Sequence, residues 1–186
     1  MKNVLILYGS PFLDGSCGKM MDKVVSSLMD ANIHIQNVFS KETAHCNDCR
    51  LCHAQDGCQY SDLDDYYYAL ENADIFVVIT PIYQLSYPSK LKVIIDRHQR
   101  YWSSKYVLGN DPAIKKEKKV YLLTSCGSNR MRDSEVLRQQ FVPIIEAISG
   151  KFVRSFDHIN NDKSSDMTDI LNEIEREFSR LCEGGE

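Results

Sequence analysis

Three short, uninterrupted apolar runs punctuate this chain: Val4–Tyr8 (VLILY), Ile75–Ile79 (IFVVI) and Val120–Thr124 (VYLLT). Each stops abruptly, at Gly9-Ser10-Pro11, at Thr80-Pro81 and at Ser125-Cys126-Gly127. Runs of this length without polar alternation read as strands covered on both faces. Helical spacing lies between them. Met20, Met21, Val24, Val25, Leu28 and Met29 mark one buried helical face. A helix over Asp62–Asn72 begins with acidic residues, which suit the positive end of a helix. Another follows Pro88, with Leu91, Ile94, Ile95 and Trp102 facing inward. Residues 103–119 read as a polar connection ending in a solvated lysine run. Residues 133–148 read as a helix that Pro143 should kink or interrupt. A last helix carries Met167, Ile170, Leu171, Ile174, Phe178 and Leu181 on one stripe, followed by a frayed tail over Cys182–Glu186.

Two further strands, around Ile33–Gln36 and Phe152–Phe156, mix polar residues into the apolar pattern, as edge strands do. Strands alternating with helices imply a parallel sheet sandwiched between helical layers. Placing the two mixed strands at the edges gives the order 2-1-3-4-5, the flavodoxin-like order. The expected fold is therefore an α/β three-layer sandwich. It forms one domain over residues 1–186, with a cysteine-rich insert at about 45–60 after the second strand. Ligands in such a sheet bind beyond the carboxyl ends of the strands, where the strand order reverses. Three loops meet there. The first, Gly9–Lys19, opens a helix whose backbone N–H groups could hold a phosphate, or it is an ordinary glycine-rich turn. It is neither a Walker A loop nor G-x-G-x-x-G. The second, Thr80–Gln84, offers Tyr83 and backbone to a planar heterocycle. The third, Ser125–Asn129, is small and polar.

GSPFLDGSCGK, C-x2-C-x2-C-x5-C and ADIFVVITPIYQLSYPSKLKVIIDR together resemble the NADPH-dependent FMN reductase branch of flavodoxin-like proteins, and within it the iron–sulfur flavoproteins. The similarity spans about residues 1–130. It implies FMN, with phosphate at Ser10, Ser16, Cys17 and Gly18. The flavin ring would lie at Pro81, Ile82, Tyr83, Gln84, Ser125, Cys126 and Gly127. It also implies a reduced nicotinamide, NADH or NADPH, as co-substrate, passing hydride to the flavin and electrons on to an acceptor. The chain departs from its relatives at Phe12, where a basic residue is usual, and at Ser16-Cys17, where Asn-Thr is usual.

Four of the seven cysteines, Cys46, Cys49, Cys52 and Cys58, fall within 13 residues. Four thiolates suit a [4Fe–4S] cluster. Zinc also accepts four, although its modules usually separate two ligand pairs widely. Thiols without metal are the third reading. His45 and His53 read as solvated loop residues, and Cys126 as a small pocket-wall residue.

With 22 basic against 26 acidic residues the chain carries a net charge of −4, which argues against nucleic acid as a partner. No apolar run approaches the roughly 20 residues needed to span a membrane. The start MKNVLILYGS reads as a strand rather than a leader, so the cytoplasm is the expected compartment. Tyr101, Trp102 and Tyr106 cluster near the long connection and suggest an interface, hence a homodimer or tetramer. The expected function is that of an FMN-dependent NAD(P)H oxidoreductase. The alternatives are a flavodoxin-like electron carrier that is not an enzyme and a cysteine-based metal or redox sensor.

Overall fold

The computed structural model describes residues 1–163 and 166–183. Its elements are β1 (Lys2–Tyr8), α1 (Ser16–Ser27), β2 (Ala31–Asn37), α2 (Leu51–Ala54), α3 (Asp64–Asn72), β3 (Ile75–Pro81), α4 (Ser89–Arg97), α5 (Gln99–Tyr106), β4 (Lys118–Ser125), α6 (Met131–Ala147), β5 (Gly150–His158) and α7 (Thr168–Glu183). Among the described residues the five strands form one parallel sheet in the order β2-β1-β3-β4-β5. This is the flavodoxin-like order, so Tyr8, Pro81 and Ser125 end side by side at the carboxyl edge.

The apolar runs are continuous because both sheet faces are covered. Val4, Ile6 and Tyr8 of β1 pack with Val77, Ile79 and Leu123 under α1 and α7. Leu5 and Leu7 pack with Phe76, Val78 and Leu122 under α3, α4 and α6. Burying each such aliphatic side chain contributes about 1.5–3 kcal/mol. On α7, Ile174 and Phe178 are fully buried, with the Phe178 ring 4.9 Å from that of Tyr121.

Several local expectations are corrected. Met29 is exposed, because α1 stops at Ser27. Pro143 lies inside α6 without ending it. Pro143 and Gln139, whose carbonyl loses its helical partner, are both exposed, so water can satisfy that carbonyl. Trp102 is 40% exposed rather than buried, because α4 ends at Arg97 and the new helix α5 changes the phase. The lysine run is not all solvated. Lys118 is buried at the start of β4, and Lys116 pairs with Asp74 at 2.7 Å. Cys182 and Glu183 continue α7, and the rest of the expected tail lies outside the described residues.

Candidate functional site

A cavity of about 410 Å³ opens at the carboxyl ends of β1, β3 and β4, where the strand order reverses. Its first wall is the segment after β1. The Tyr8 hydroxyl, under the loop, donates to the Phe12 carbonyl at 2.6 Å and fixes the loop's path. Ser10, Ser16 and Cys17 line the cavity, as the sequence implied, joined by Phe12, Gly15 and Lys19. Gly18 does not line it. A Cβ there would stand 1.7 Å from the Leu13 carbonyl oxygen, so Gly18 is where the loop crosses closely over its own helix. The α1 N-terminus has no side-chain cap and no acidic residue in its first turn. Its N–H groups are thus left for an external acceptor.

Pro81, Ile82 and Tyr83 form the second wall. The Ile82 N–H donates to the Ser125 carbonyl at 2.9 Å, tying this loop to the third. Tyr83 and Ser86 bond each other's backbone around a tight turn. Gln84 and Leu85 at its tip have φ of 51° and 61°, the left-handed region, which costs non-glycine residues energy. Gln84 lies outside the cavity lining. Ser125, Cys126 and Gly127 make the third wall. A fourth wall, from the loop after β5, was not anticipated. Asn161 and Asp162 line the cavity, and the Asn161 amide donates to the Ser125 hydroxyl at 2.7 Å. Asp162 fills the space a side chain at Gly127 would need, its carboxylate oxygen 2.1 Å from a Cβ built there. The sequence carried no local signal for this wall. Parallel pairing of Ser125 with His158 brings it there.

The four cysteines of the insert come together on the helical face formed by α2 and α5. Cys46, Cys49, Cys52 and Cys58 line one small pocket with Arg97 and Arg100. Asp48 and Arg50 between them take positive φ, which folds the segment tightly. Cys46 and Cys49 are exposed, and the Cys52 thiol lies 3.5 Å from the Ser103 hydroxyl. His45 is exposed, whereas His53 packs at a tilt against Trp102 with ring centroids 6.5 Å apart. Among the described residues no three His, Cys, Asp or Glu side chains stand arranged as metal ligands.

Residues 2–158 match the family model described as NADPH-dependent FMN reductase. The chain belongs to the NADPH-dependent FMN reductase family. An iron-sulfur flavoprotein of Archaeoglobus fulgidus is 33% identical over 104 residues, 54% of this chain and 47% of that protein. One of Methanosarcina thermophila is 32% identical over 92 residues, 48% of each. The chain thus spans about half the length of the curated relatives it matches. The NAD(P)H:quinone oxidoreductase of Methanothermobacter marburgensis shares the fold, with a TM-score of 0.74 at 18% identity, covering 96% of this chain and 94% of that one.

The cavity of this FMN reductase family member fits the cofactor in the family's name. A phosphate suits the uncapped helix end with Ser10, Ser16 and Lys19 beside it, and a flat ring suits the small, largely uncharged walls at 81–83 and 125–127. The cavity's thiols are not nucleophiles. Burial pushes the Cys17 thiol up to about 12, tempered by a hydrogen bond from Ser10. Burial, then the nearby Asp133, raises Cys126 as well. Both stay protonated at neutral pH. The cysteine pocket fits an iron–sulfur cluster in the number and chemistry of its donors, with the guanidinium groups of Arg50, Arg97 and Arg100 in its lining to offset the charge of thiolates.

Proposed function

We propose that the protein is an FMN-dependent oxidoreductase drawing electrons from a reduced nicotinamide nucleotide. The single observation that carries this is the cavity at the switch point, bounded by an uncapped helix N-terminus at one end and by three apposed loops at the other. FMN, when bound, supplies the hydride-accepting and electron-donating chemistry. The chain's part is to bind and orient. Ser10, Ser16, Cys17 and Lys19, with the N–H groups of the first turn up to Gly18, hold the phosphate. Pro81, Ile82, Tyr83, Ser125, Cys126 and Gly127 border the ring, and Gln84 shapes the turn behind it. Asn161 and Asp162 close the side and limit water. Tyr83 is 47% exposed, which leaves a way in for the nicotinamide.

Cys46, Cys49, Cys52 and Cys58 hold a [4Fe–4S] cluster in this reading, as the relatives' name, iron-sulfur flavoprotein, suggests. The chain works in the cytoplasm, where thiols stay reduced, as a homodimer or tetramer. Trp102 and Tyr106, partly exposed with ring centroids 5.4 Å apart, mark the expected contact. Tyr101 does not contribute, being buried in the core. Among the described residues no helix is long and apolar enough to cross a membrane.

The test is an absorption spectrum of anaerobically purified protein with an FMN titration and NAD(P)H oxidation assays. Flavin binding at micromolar concentration and steady oxidation of NADH or NADPH are expected. No binding at high micromolar FMN would sink the reading. Iron and sulfide near zero would remove the cluster alone. A monomer mass near 21.4 kDa by light scattering would remove the assembly.

A further inference from the structure

Arg97 is the largest fully buried side chain among the described residues, 2% exposed at the end of α4. A buried guanidinium needs partners for its N–H groups, and what it chooses here is informative. One terminal nitrogen donates to the Ala44 carbonyl at 2.8 Å and the other to the Tyr60 carbonyl at 3.1 Å. Ala44 stands two residues before Cys46 and Tyr60 two residues after Cys58. Asp62 ion-pairs with Arg97 at 3.0 Å while accepting the Ala44 N–H at 2.8 Å, so the same clasp is closed twice. The Tyr60 ring lies 5.1 Å from the guanidinium carbon. One nitrogen of the guanidinium is left over. Nε has no hydrogen-bond partner, and Arg97 lines the cysteine pocket, close enough to Cys58 for their charges to interact.

We propose that Arg97 is the positioning residue of the cysteine site. Its terminal nitrogens fix the start and end of the cysteine loop, and its Nε–H donates to the sulfur-bound anion that the four thiols hold. An unpaired buried N–H is costly, and an anionic thiolate or sulfide is the acceptor its surroundings supply. Hydrogen bonds to sulfur favour the more negative, reduced form of a cluster and so raise its potential. The donation rests on the cluster reading above; the clasp does not.

Two measurements separate them. In protein without metal, hydrogen exchange across residues 45–60 should be at least tenfold faster in Arg97→Gln than in wild type, and intermediate in Arg97→Lys. The β1, β3 and β4 amides, unchanged, report that each variant is folded, and Arg97→Lys keeps a cation beside Asp62 should Arg97→Gln not fold. Equal exchange in the loop would overturn the clasp. In anaerobically purified protein, Arg97→Lys keeps the charge but loses the planar fork. Its cluster should be about tenfold harder to reduce by one electron, about 59 mV lower, or should fail to load where wild type loads. An unchanged potential would overturn the donation. Wild type without iron and sulfide would fail the cluster reading and the donation together, and loop exchange would still decide the clasp.

Discussion

Gly18 shows how one atom can decide a site. Its missing Cβ lets the Leu13 carbonyl lie against α1, and that closeness sets the path of the loop walling the cavity. The clash in Gly18→Ala is with backbone, so no rotamer change relieves it. That variant should lose about 1–3 kcal/mol of stability and bind FMN at least tenfold more weakly, as read by urea melts and flavin titration. Wild-type affinity would show that the crossing does not shape the site. Leu85 presents the opposite case. It holds a left-handed φ of 61° without being glycine, in a turn whose backbone is already held by Gln140. The strain is about 1–2 kcal/mol, and glycine's greater entropy loss on folding takes back about 0.5–1. Leu85→Gly should therefore be more stable by up to about 1.5 kcal/mol, and a destabilised variant would show that the turn stores no strain.

Through its ammonium, Lys118 ties the start of β4 to the end of α6. It donates to the Ile148 carbonyl at 3.0 Å and to the Lys116 carbonyl at 2.7 Å. Burial, with Lys116 adding to it, lowers its pKa from 10.5 to about 8. Between those values the unfolded chain binds the extra proton, so stability rises with pH from about 8 to 10.5. The rise is about 3 kcal/mol at most. Subtracting Lys118→Met melts from wild-type melts should isolate that slope, and a flat difference would show that the lysine is not desolvated. Most elements here were legible from periodicity alone. The exceptions share a cause: tertiary contacts override local preference. His98, fully buried and 2.7 Å from the Tyr66 hydroxyl, breaks α4 from α5 and turns Trp102 outward. The lysine run looked solvated because nothing local shows that Lys118 caps a helix 30 residues away.

For the molecule as a whole, the cavity is walled by segments that follow β1, β3, β4 and β5, so a ligand filling it should stabilise the entire fold. At a hundredfold excess over its dissociation constant FMN should add about 2.7 kcal/mol. For a chain of this length that is a melting shift of roughly 5–10 °C. Differential scanning with and without FMN reads it directly. An unshifted melting temperature at saturating flavin would mean that the cofactor does not bind the native state preferentially.

The sheet order and the place of the switch-point cavity were legible in the pattern of apolar runs, because a doubly covered strand has to be apolar at every position; of the three residue sets the resemblance implied, only Ser125–Gly127 lines the cavity in full. The cysteine spacing likewise put four thiols in one short loop, and in the fold all four line one pocket. What lies far apart in sequence was decided only by the folded chain. Asn161 and Asp162 reach the cavity because β5 pairs in parallel with β4. Gly18 proved to be a packing position and Gln84 a strained turn residue, distinctions that depend on how the chain crosses itself and turns in space. Arg97 reads in sequence as one more charge on a helix. Only tertiary packing removes it from water, and once there its N–H groups have to be satisfied by whatever surrounds them, here the two ends of the cysteine loop.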